Sequence, residues 1–161
     1  VANKKMISRE LVKEVHTEAR KLRKAATEKE LRNLDFSELR VLSPSRCIYG
    51  QMTGDCFSSR AEGLIQQCAK HVIDTHSSII SEVTCELKAV DPSQIHQENK
   101  YGRYLFSPIE VYIGNDGADN RQLIAFLKGE RKTLNLYPNC RRIQCQENCE
   151  SQDFPYTNVT F

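Results

Sequence analysis

The chain has 161 residues, 39% of them hydrophobic and 27% charged, which is enough for one folded domain and argues against an intrinsically disordered chain. Its formal net charge of +2 is too small to mark a nucleic-acid binder by itself. No apolar run approaches the roughly 20 residues of a membrane span, and no apolar stretch of signal-peptide type opens the sequence.

In chain order, the first 42 residues read as a basic helical arm. Ile7, Leu11, Val15, Ala19, Leu22 and Ala26 recur at spacings of three and four, and Ser8 is a suitable cap. From Lys4 to Arg32 there are ten basic residues against five glutamates. The pattern predicts an exposed basic face bearing Arg20, Lys21, Arg23 and Lys24, with Leu11, Val15 and Leu22 buried. Such a face can meet a nucleic acid or an acidic protein, or a second copy of the chain could pair through the helix. Thr27 to Glu30 has the capping-box spacing, predicting a break and a short second helix through Leu34; Asp35 and Glu38 repeat it, turning Phe36 and Leu39 inward.

Ser43-Pro44-Ser45 is a turn signal, and residues 43–137 are the expected α+β core. Gly50 and Gly54 frame a tight loop. Ala61, Leu64, Ile65, Cys68, Val72 and Ile73 then mark a central helix opening near Phe57 or Ser58 and running to about Thr75. The period changes to two at Val83, Cys85, Leu87 and Ala89, a half-buried strand. A polar loop over 91–102 carries His96. A second strand is expected over 103–113, interrupted by Pro108, and two more over 122–127 and 132–137, on either side of the Gly129 turn. Tyr101, Tyr104, Phe106 and Tyr112 would form an aromatic face on the sheet. Residues 138–161 are a cysteine-bearing tail packed on the core. The expected fold is therefore α+β: a helical arm, then a central helix on a three- to four-stranded antiparallel sheet, closed by the tail.

Three constellations could carry chemistry. Seven cysteines is an odd count, which fits poorly with a closed disulfide framework and points to a reducing, cytoplasmic setting. Cys140, Cys145 and Cys149 fall within ten residues, and with Cys47 as a fourth thiolate they would suit tetrahedral zinc. The spacing lacks a CxxC pair.

The second constellation centres on Cys56. At the opening of a helix, its thiolate would be favoured by the dipole and by loop amides. Gln51 lies upstream as an oxyanion donor, His96 is the available base, and Asp116 the orienter. A cysteine opening a helix in QMTGDC, followed by a sheet segment PIEVYIGND, resembles the order in papain-like and transglutaminase-like enzymes. The resemblance covers about a third of the chain and implies a cysteine nucleophile. In those families a histidine opens the strand before the acidic residue. Leu105-Phe106-Ser107-Pro108 stands there instead, so the base would have to be His96.

Third, Gly50, Gly54, Ser58, Ser59 and Arg60 could cradle a phosphate or another small anion, although they match neither the P-loop nor the dinucleotide fingerprint. Taken together, these features favour a binding module without catalysis, zinc-stabilised through the tail and engaging a protein or nucleic acid. An enzyme using Cys56 and an anion-binding loop are the alternatives.

Overall fold

The computed structural model describes residues 9–74, 89–95, 105–115 and 118–136. Helix α1, Arg9–Ala25, is the element on which the others pack. Its apolar stripe is enclosed, with Leu11, Val12, Val15, Ala19 and Leu22 each at 0% exposure. Glu10 in its first turn and Arg23 and Lys24 in its last complement the helix dipole. The helix expected as an arm lies against α4 (Ser59–Cys68), α5 (Pro108–Ile113) and α6 (Asn120–Leu127).

The break after α1 is where the capping box sits. Thr27 accepts the Glu30 amide at 3.1 Å while Glu30 accepts the Thr27 amide at 2.8 Å, opening the short α2, Glu28–Arg32. Asp35 caps a 3-10 turn, Phe36–Glu38, and Phe36 and Leu39 pack against the core.

Between the two glycines the chain is a helix, α3 (Ile48–Thr53), where the sequence suggested only a loop. Cys47 is its N-cap and accepts the Gly50 amide on sulfur at 3.4 Å. Gly50 is required for close approach: a Cβ there would stand 2.1 Å from the Pro44 carbonyl oxygen. Gly54 ends the helix at φ 97°, a conformation that L side chains resist.

The cap of α4 is Ser58, whose hydroxyl accepts the Ala61 amide at 3.2 Å. This helix buries Ala61, Leu64, Ile65 and Cys68, then stops at Cys68, well short of Thr75. Val72 and Ile73, read from the sequence as the last helical turns, form β1 (Val72–Asp74) instead. The β-branched pair suits the extended state, and strand neighbours on both sides satisfy its backbone.

β1 is the middle strand of an antiparallel three-stranded sheet ordered β2, β1, β3. Val72 pairs with Val90 of β2 (Ala89–Val90), and Ile73 with Phe106 of β3 (Leu105–Phe106). The expected strand at 83–89 is described only at its end, as β2.

Two expected strands are helical. The strand predicted over 103–113 lasts only through β3, because Ser107 caps a new helix with Pro108 at its first turn and Glu110 closing a second capping box. A helix start of this kind tolerates the proline that a strand would not. The segment 122–127 is α6, capped by Asp119, with Leu123, Ile124, Phe126 and Leu127 buried. Residues 132–136 form no strand. Phe106 and Tyr112 are buried, so they offer no stacking face, while Tyr101 and Tyr104 lie outside the described residues. No helix among the described residues is long and apolar enough to cross a membrane.

Candidate functional site

A cavity of about 340 Å³ opens where the 41–44 connection, α3, α4, the sheet and the start of α5 meet. Val41, Ile65, Val72, Ile95 and Phe106 give it an apolar wall, and Leu42 and Phe57 stand among its lining residues. These two are the exposed large hydrophobic side chains of the described residues, at 55% and 58%. Five polar residues line the same space: Ser43, Cys47, Cys56, Ser107 and Glu110.

The polar group is built by local rules that happen to converge. Glu110 is the third residue of α5 and accepts the Ser107 amide at 3.3 Å to close the capping box. Capping glutamates normally sit in water, but this one is 6% exposed. Burial, and then the neighbouring Cys47 sulfur, push its carboxyl well above the usual range. Cys47 is 1% exposed. Its contact with the Cys56 thiol, and then burial, raise its own pKa far above that of a free thiol, so it stays protonated.

Behind the cavity wall the polar network continues into the core. Glu18 of α1 is fully buried; it accepts the Tyr49 hydroxyl and the Ile109 amide, the latter at 2.9 Å. Ser107 stands beside Glu18 and helps to lower its pKa, and its hydroxyl accepts the Glu110 amide at 3.3 Å, so one serine stands between the two buried acids. Burial raises Glu18 to about 7, even though these hydrogen bonds favour its ionised form. Tyr49 is raised in turn by burial and by the Glu18 charge, so it remains a phenol that donates. Three segments far apart in the chain, 18, 47–56 and 107–110, thus meet in one network.

The residues singled out in the sequence fall in several places. Cys56 does line the cavity, half-buried, but it precedes the α4 cap by two residues instead of opening the helix; its amide is held by the Pro44 carbonyl at 2.8 Å. Gln51 is turned elsewhere. Its side chain accepts the Asp35 amide at 2.7 Å and donates to the Asp35 and Arg46 carbonyls at 3.2 and 3.0 Å, clasping the connection that precedes α3. His96 and Asp116 lie outside the described residues, as do Cys140, Cys145 and Cys149. Among the described residues no three His, Cys, Asp or Glu side chains are placed to hold a metal ion; Cys47 is the cap of α3.

The groups read as an anion loop are engaged within the protein. Arg60 forms a bidentate pair with Glu30 at 2.8 and 2.9 Å, and hydrogen bonds from that guanidinium hold the Glu30 carboxyl down at about 2. The Ser58 hydroxyl is shared with Ala61 and Thr53, the Gly50 amide goes to Cys47, and the Gly54 amide to the Gly50 carbonyl at 2.7 Å. Ser59 is exposed in the first turn of α4. On α1, Arg20, Lys21 and Lys24 are exposed, whereas Arg23 stacks on Phe126 at 4.6 Å and donates to the Arg131 carbonyl at 3.2 Å.

Sequence reasoning missed Glu18, Tyr49, Ser107 and Glu110. Glu18 carried a signal, since it falls between Val15 and Ala19 inside the apolar stripe of α1. Ser107-Pro108-Ile109-Glu110 has the spacing of a capping box led by proline, the same pattern recognised at Thr27. Nothing local distinguishes Tyr49. Comparison of the chain with family models, curated proteins and solved structures finds no match.

Proposed function

We propose that this domain is a binding module without catalysis, taking an apolar side chain of a protein partner into the cavity beside Leu42 and Phe57. The observation that carries this reading is the exposure of these two side chains beside an apolar cavity, in a chain whose other large hydrophobic residues, where described, are covered. Apolar walls supply affinity, and Ser107 and Glu110 supply a few polar atoms that would select among side chains. Glu110 held protonated acts as a hydrogen-bond donor instead of a charge.

Selection of a displayed random-peptide library on the immobilised domain tests this. Enriched peptides should share an aliphatic or aromatic anchor. Both exposed positions can be changed without opening the core, so Leu42→Ser and Phe57→Ser should fold normally and each weaken binding by about tenfold, the loss expected for about 1.4 kcal/mol of apolar burial. Peptides whose affinity neither substitution moves would remove the cavity from the proposal.

A second reading has one observation in its favour. Cys56 faces the cavity beside a buried acid, as a nucleophile beside a bound substrate would. Among the described residues no imidazole lines that cavity: His71 pairs with Glu14 at 2.9 Å, and His16 lies beside Arg20 at 3.4 Å. The enzyme reading therefore requires His96. Loss of fast Cys56 alkylation in His96→Ala would support it over the module.

A further inference from the structure

We infer that Cys47 and Cys56 form a redox-active dithiol that reacts with low-molecular-weight disulfides admitted through the cavity. This goes beyond partner binding and does not depend on it. The geometry begins at the Ser43–Pro44 turn. The Ser43 carbonyl accepts the Cys47 amide at 3.0 Å, and the next carbonyl, Pro44, accepts the Cys56 amide at 2.8 Å. Two cysteines nine residues apart are thereby anchored to consecutive carbonyls. Gly50 makes this possible, because any side chain there would strike the Pro44 oxygen.

Both cysteines line one cavity, yet they differ in access: Cys56 is half-buried and Cys47 is 1% exposed. That asymmetry assigns the order of events. The Cys56 thiol loses its proton to solvent and attacks one sulfur of the incoming disulfide, whose bond breaks to release one thiol and leave a mixed disulfide on Cys56. The Cys47 thiol, on the wall of the same cavity, then gives up its proton to solvent, and the thiolate so formed attacks the Cys56 sulfur of that mixed disulfide. The second half of the small molecule leaves as a thiolate and takes up a proton from solvent. Two protein thiols are oxidised to one bridge, and one disulfide is reduced to two thiols. Bridge formation brings the two sulfurs to about 2 Å.

Oxidised glutathione is the probe. Cleavage after Arg46 and Arg60 releases one tryptic peptide, 47–60, that contains both cysteines and no other basic residue inside it. In the folded wild-type chain this peptide should become two hydrogens lighter and refuse iodoacetamide. Cys47→Ser keeps a capping hydroxyl for α3, so it should fold and should trap glutathione on Cys56. In Cys56→Ser, oxidation of the same peptide should slow at least tenfold. Circular dichroism confirms folding of each variant. Four results would overturn the assignment: no reaction, a stable glutathione adduct on wild-type Cys56, a bridge from Cys47 to any other cysteine, or no adduct on Cys56 in folded Cys47→Ser.

Discussion

Glu18→Gln should make the protein more stable at pH 8 and less stable at pH 4. Glu18 is fully enclosed, and its carboxyl titrates at about 7 against the ordinary 4.5. The unfolded chain therefore ionises this group first. Stability is fully present below about pH 4.5, falls as pH rises through the folded value, and then levels off. At about 1.4 kcal/mol per pKa unit, the stability lost by pH 8 is ~3 kcal/mol. Glutamine cannot ionise, so that loss disappears in the variant. Its carbonyl can still accept the Ile109 amide, but its NH₂ faces Tyr49, whose hydroxyl then has nowhere to donate. One unsatisfied buried hydroxyl costs about 1 kcal/mol. The variant should thus be less stable than wild type by about 1 kcal/mol at pH 4 and more stable by about 2 kcal/mol at pH 8. Glu110 is raised as well, in part by the Glu18 charge, so the gap between the two proteins reports Glu18 together with its coupling to Glu110. Urea unfolding at a series of pH values measures the gap directly. A gap that stays constant from pH 4 to pH 8 would refute the idea that Glu18 is held protonated in the folded state.

Gly50→Ala should destabilise by roughly 2–4 kcal/mol, since its Cβ would lie 2.1 Å from the Pro44 oxygen and the Ser43–Pro44 turn must move; thermal melting checks this, and an unchanged midpoint would show that the turn yields freely. If nucleic acid is the partner, the exposed Lys21 and Lys24 meet phosphate, and changing both with Arg20 to Gln should weaken oligonucleotide binding and make it less sensitive to salt, because fewer phosphates are neutralised. Fluorescence anisotropy over a series of salt concentrations reads both quantities, and no binding at low salt would leave α1 a packing element. Zinc held by Cys140, Cys145 and Cys149 would appear as one equivalent in reduced protein, and a chelator would release it and expose three thiols to alkylation. Metal-free reduced protein with these thiols already titratable would end the zinc proposal.

What was legible in the sequence is what local pattern controls. The stripe on α1, the capping box at Thr27 and the turn at Ser43–Ser45 appear where the residues suggested, and Gly50 and Gly54 do serve a close approach and a positive φ, though on a helix and not around a loop. The antiparallel sheet is there too, in the three-strand form. Errors gathered where a short apolar run can be either helix or strand. Val72 and Ile73 continue the helical spacing of α4 yet pair as a strand, because the sheet offers them partners that periodicity does not register. In the opposite direction, residues 108–113 alternate well enough for a strand, but Ser107, Pro108 and Glu110 start a helix whose six residues are all buried.

The site was harder to read for a different physical reason. None of its parts carries its role alone. Cys47 is an N-cap, Glu110 a capping-box partner, Ser107 a cap and Glu18 one residue on a helix face. Each would be ordinary if solvated. They become a site because α1 packs on α5, which brings Glu18 to the Ile109 amide 91 residues away and shuts both acids from water. Burial then raises both carboxyls above the usual range and holds one thiol protonated. Sequence does warn of such places in one way, by an ionisable residue inside an apolar stripe. Glu18 gave that warning, and following it through Ser107 leads to Glu110, Cys47 and the cavity. Cys56 was found by a different route, as a thiol near a helix start, and it precedes the α4 cap by two residues. Its amide and that of the buried Cys47 are held by consecutive carbonyls of the Ser43–Pro44 turn, a pairing that only the fold brings about.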